Sequence, residues 1–128
     1  MYKKIIFNAK ALKDYKDCIC SFEISKQAKL NGITNTNLSP ICFDKDGELS
    51  DGEWIQGIHL DWEYYPAISF IMAGQKILED LGTQALDAFN FYQKDKIYFI
   101  AYKGETLSSE NIIDVMVLTW IKHRPKIN

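Results

Sequence analysis

The stretch that decides the fold is residues 96–124, KIYFIAYKGETLSSENIIDVMVLTWIKHR. Residues 96–102 are apolar on both faces, as expected of a central strand. Lys103, Gly104 and Glu105 close that strand. The span 109–122 then reads as a helix, with Ser109 as cap and Glu110 near its start. Lys122, His123 and Arg124 stand at its end, where cations complement the helix dipole, and Pro125 stops it. Ile112, Ile113, Val115, Val117, Thr119 and Ile121 are β-branched and suit a strand, but the length favours a helix. Apolar nearly all round, it is expected to lie deep in the core. A central strand followed by a buried helix requires a sheet with helical cover.

Working back from there, Pro66 is expected at the first position of a helix, where its missing N–H is not needed. Ile68, Ile71, Met72, Ile77, Leu78 and Leu81 would form the buried face, and Gly82 the C-terminal cap. Thr83 would cap a second short helix through Phe91, with Leu86 and Phe89 facing inwards. Residues 2–9 read as a first strand. In 17–25, Cys18, Cys20, Phe22 and Ile24 alternate with Ser21 and Glu23, the period of a half-buried strand. The Asn- and Gly-rich run at 31–37 is turn chemistry, and a short strand follows at 41–43 beside Pro40. Residues 54–63 carry two grammars. Ser50 and Glu53 match a capping box, with Trp54, Ile58, Trp62 and Tyr65 on one helical face. From Ile58 to Tyr64, however, apolar and polar residues alternate without a break, so a strand is expected. Trp62 and Tyr64 would then face the core, with Glu63 and Tyr65 outward. The sum is one α+β domain, residues 1–128, with a mostly antiparallel sheet covered on one face by two or three helices.

Composition narrows the class. The 128 residues are 47% hydrophobic and 25% charged, ordinary globular values. A net charge of −2 argues against nucleic acid, whose binders need a basic patch to neutralise phosphates. No run approaches the ~20 apolar residues of a membrane span. Asn8, Lys10 and Lys13 interrupt any signal-peptide core, and three cysteines cannot all pair. A cytoplasmic, reduced protein is expected.

The stretch CFDKDGELSDGE, residues 42–53, resembles an EF-hand calcium loop over those twelve residues. Asp44 and Asp46 take its positions 3 and 5, Gly47 the turn position 6, Leu49 position 8, Ser50 position 9 and Glu53 the bidentate position 12. Cys42 stands where the loop's first carboxylate belongs, and residues 31–41 are poor material for an entering helix. The other reading, which we adopt, is an exposed acidic turn between two strands. No metal and no cofactor are expected.

On a strand, His59, Asp61 and Glu63 would project from one face about 7 Å apart, a spacing open to metal or acid–base chemistry but also to plain solvation. Cys18 and Cys20 would share a face and, with Cys42, make part of a soft-metal site; core packing is the simpler account. Phosphate loops, nucleophile elbows and HExxH zinc motifs are absent from the sequence. The favoured expectation is a non-enzymatic domain that occludes a protein partner with a basic surface, as inhibitors and immunity proteins do. Asp44, Asp46, Asp51, Glu53, Asp61, Glu63 and Tyr65 would form its face. The alternative is a small-ligand or metal-dependent enzyme pocket near His59, Asp61 and Glu63.

Overall fold

The computed structural model describes residues 18–33, 41–51 and 64–125. The strands expected at 2–9 and 54–63 lie outside them. The fold is α+β, with antiparallel sheets and helices packed against them. Among the described residues the pairing is divided between two three-stranded sheets. Each belongs to one of two compact units, Met1–Ala67 and Ile68–Asn128.

In the first unit, helix α1 (Phe22–Leu30) precedes strands β1 (Ile41–Asp44), β2 (Leu49–Asp51) and β3 (Tyr64–Pro66). The sheet order is β2-β1-β3, and both pairings are antiparallel. Alternation at 17–25 predicts a strand; the chain instead turns into a helix at Phe22. The side chain of Ser21 caps it by accepting from the Ile24 N–H, and Glu23 and Lys29 suit the two ends of the dipole. Ile24 and Ala28, four residues apart, are buried together with Ser25, and this helical stripe overrides the shorter alternation.

Pro66 also departs from expectation, for it ends β3 instead of opening a helix. It lies opposite Cys42, and β3 is the edge of its sheet among the described strands. Helix α1 covers that edge. The Ser25 hydroxyl and the Cys20 thiol both donate to the Pro66 carbonyl, and Lys29 Nζ donates to the Tyr64 carbonyl at 2.6 Å. Carbonyls at 64 and 66 therefore point away from β1, and so would an N–H at 66. A proline there gives up no ladder hydrogen bond.

The second unit runs α2 (Phe70–Leu81), α3 (Thr83–Ala88), β4 (Asn90–Lys94), β5 (Ile97–Tyr102), β6 (Glu105–Ser109) and α4 (Ile112–His123). Helix α2 starts after Ser69, whose side chain accepts from the Met72 N–H, and ends at Gly82. Ile68, Met72 and Ile77 are buried as expected, whereas Ile71 and Leu78, which share a face seven residues apart, are exposed. The sequence predicts Thr83 as a cap, but Gly82 holds that position without a side-chain bond, and α3 stops at Ala88. Phe91 is therefore in β4, not in a helix.

The strand expected at 96–102 is β5, and it is central, between β4 and β6. Both hairpins use two-residue turns. Asp95 and Lys96 have φ of 51° and 67°, and Lys103 and Gly104 have 50° and 80°, the type I′ form that matches strand twist. Strand β6 takes up residues that the sequence pattern assigns to the turn and to the helix start. The helix cap consequently moves from Ser109 to Asn111, whose Oδ1 accepts from the N–H of Ile113 and Asp114. Helix α4 packs on β5, β6 and α2, which buries Ile113, Val115, Met116, Val117, Thr119 and Trp120 and outweighs the modest helix propensity of its β-branched residues. Trp120 Nε1 donates to Asp80 Oδ2 at 2.6 Å, tying α4 to α2.

Candidate functional site

The acidic stretch forms the hairpin between β1 and β2. Phe43 lies opposite Leu49, the Asp44 N–H donates to the Glu48 carbonyl at 2.8 Å, and the Gly47 N–H donates to the Asp44 carbonyl at 3.1 Å. Three residues, Lys45, Asp46 and Gly47, make the loop. Gly47 has φ of 83°, so the connection is a tight turn closed by a glycine bulge. The Asp44 carboxylate stiffens it from inside: its Oδ1 accepts from the N–H of Asp46 at 2.8 Å and of Glu48 at 3.0 Å.

The turn is also supported from below. A Cβ built on Gly47 would stand 2.8 Å from Cδ2 of Phe22, so ring and glycine backbone are in close contact. Phe22 in turn packs against Phe43 and Tyr65, each with ring centroids 5.5 Å apart, and Lys26 Nζ lies 4.7 Å from the Phe22 centroid. The first residue of α1 thus braces a turn more than twenty positions later. On this support Lys45, Asp46 and Glu48 are exposed and Asp44 is half-buried.

Of the residues predicted for a partner face, the structure brings Asp44 and Asp46 together in this turn. Asp51 pairs with Ile41 at the end of β2 away from the turn. Tyr65, expected to stand outward, is half-buried, with its ring on Phe22 and Lys29 Nζ 4.8 Å from its centroid. Glu53, Asp61 and Glu63, and His59 of the alternative pocket, lie outside the described residues. Glu48 was not singled out in the sequence, although the hairpin reading of the same letters places it one step past the glycine.

Comparison with models of protein families, with curated proteins and with solved structures finds no match to this chain. What the site can do must come from its own chemistry.

The calcium alternative requires a loop leaving one helix and entering another. Here residues 42–51 are strand, turn and strand, with the Cys42 side chain buried at the position of the missing first ligand. Asp44 already spends Oδ1 on two backbone amides. Among the described residues, no group of three or more His, Cys, Asp or Glu side chains is placed to hold a metal ion. The cysteines also separate: Cys20 and Cys42 are buried, whereas Cys18, expected on the same face as Cys20, is exposed. Consecutive Ile19 and Cys20 are both buried, so the alternation on which that shared face rested is already broken before the helix begins at Phe22. Among the described residues no helix is long and apolar enough to cross a membrane.

Proposed function

We propose that this chain is a small, non-enzymatic protein-binding domain that acts by occluding a partner with a basic surface, in the manner of an inhibitor or immunity protein. The observation that carries the reading is the braced acidic turn. Asp46 and Glu48 project from a loop held by the Asp44 carboxylate and by Phe22 under Gly47. Carboxylates on a rigid turn lose little freedom when they meet a cation, and their charge speeds encounter. The three cysteines form no disulfide, which suits a reducing compartment, and the cytoplasm is the proposed location.

The reading is tested by charge reversal at the tip. Asp46→Lys together with Glu48→Lys should weaken partner capture from native lysate by roughly tenfold or more, with a thermal midpoint close to wild type, because both side chains are exposed. Asp44→Asn, which keeps an oxygen for the two amides, serves as the control for turn geometry. If the doubly reversed protein retains every partner that the wild type retains, the acidic turn is not the docking surface.

A further inference from the structure

The two sheets treat their edges differently. In the first, α1 covers β3 and a proline occupies its outward side. In the second, all five residues of β4 are exposed, including Phe91 at 42% and Tyr92 at 40%, and among the described residues β4 pairs with β5 alone. It has no proline, its single charge is the terminal Lys94, and its partner register runs unbroken from Asn90↔Ala101 to Lys94↔Ile97. An open edge of unbroken register with exposed aromatics is a template for another strand. We propose that β4 is a homodimerisation edge, which joins antiparallel to β4 of a second copy about a two-fold axis at Tyr92.

The register follows from the turn. Asp95 and Lys96 form a two-residue type I′ loop, so Lys94 and Ile97 are its hydrogen-bonded closing pair. Bonding alternates along an antiparallel ladder, so Asn90 and Tyr92 also turn their backbone groups to β5. Phe91 and Gln93 therefore turn theirs outward. Two copies use both outward residues, and pair the whole strand, when Phe91 of one lies opposite Gln93 of the other. That centres the axis on Tyr92.

Side chains fit this register. Tyr92 stacks on Phe99 with centroids 4.9 Å apart and planes 8° from parallel. In the dimer the two Tyr92 residues form a non-hydrogen-bonded pair, where side chains approach most closely. A row of four aromatics then crosses the interface, Phe99 and Tyr92 from each copy. Charges agree as well: Lys94 stands opposite Asn90 of the other copy, so the lysines do not face each other. A symmetric edge of this kind fits itself, because each contact occurs twice.

Sedimentation velocity on the full chain tests the proposal, the monomer being 14.8 kDa. The wild type is expected to sediment at twice that mass at micromolar concentrations. Gln93→Pro removes an outward N–H without touching the β4–β5 ladder, and should weaken the dimer roughly 10- to 100-fold through two lost hydrogen bonds. Tyr92→Lys, which sets like charges opposite each other across the axis, should act in the same direction, and circular dichroism checks that each variant is folded. A wild type that stays monomeric at about 100 µM, or a dimer that folded forms of both variants retain at wild-type affinity, overturns the proposal. So does a monomer that accepts only an extended segment of another protein at β4.

Discussion

Two three-stranded antiparallel sheets of similar size are held in opposite ways. The β1–β2–β3 sheet depends on side chains from α1: Phe22 lies under the Gly47 turn, and Ser25 and Lys29 hold the carbonyls along β3. The β4–β5–β6 sheet closes through local backbone geometry, two type I′ turns, with α4 laid over one face. Sheets of the first kind fail when a distant contact is removed; sheets of the second kind fail when a turn residue is wrong for its dihedral angle.

Two glycines with nearly equal φ separate these modes. Gly47 at 83° meets the Phe22 ring, whereas Gly104 at 80° has no atom within 4 Å of a built Cβ. Gly47→Ala therefore combines left-handed strain with displacement of Phe22 from Phe43 and Tyr65, and should destabilise by about 3 kcal/mol. Gly104→Ala carries the backbone strain alone, about 1 kcal/mol. Urea melts of the two variants give the comparison directly. Equal losses would show that Phe22 moves aside freely and that the first turn needs no support from α1.

The edge of β3 offers a second, smaller separation. Ser25 is fully buried, and its hydroxyl donates to the Pro66 carbonyl. Ser25→Ala should lower stability by about 1–2 kcal/mol, since the thiol of Cys20 at 3.9 Å is a weak substitute donor for that carbonyl. Amide exchange should accelerate in α1 and β1 while β5 is unchanged. Uniform acceleration along the chain would instead make the two sheets one cooperative structure.

The same contrast decides what could be read from sequence. Helix α4 is legible because its pattern is long and agrees with its burial; strand β5 is legible from its unbroken apolar run, although only Ile100 and Tyr102 of it are buried. The turn at 45–47 is legible because Asp44 and Gly47 suit the first and last positions of a tight turn, and those letters also imitate a calcium loop. Helix α1 is obscured because Ile24 belongs both to the alternating set with Cys20 and Phe22 and to the helical stripe with Ala28. Only packing chooses between them. Pro66 fits a helix start and an outward edge equally well in sequence; what distinguishes them is which side of β3 faces Ser25 and Lys29. The stacked pair of exposed Tyr92 and half-buried Phe99 has no periodic signal on the β4 side, since every residue of β4 is exposed. Of the candidate site, Asp44 and Asp46 followed from local turn chemistry, whereas the position of Tyr65 on Phe22 depends on a contact between distant segments.

The smallest effect should have the opposite sign and belong to the second sheet alone. Lys96 adopts φ of 67° in the turn between β4 and β5, a region that costs a residue with a Cβ about 1 kcal/mol. Glycine there removes the strain but enlarges the conformational freedom of the unfolded chain, which takes back part of the gain. Lys96→Gly should therefore stabilise by about 0.5 kcal/mol, a small upward shift in the denaturation midpoint with the slope unchanged. The exposed Lys96 side chain adds no contact that would reverse this sign. A destabilised Lys96→Gly would mean that the β4–β5 turn is held by something beyond its own backbone, and the distinction between the two sheets would then fail at its simplest point.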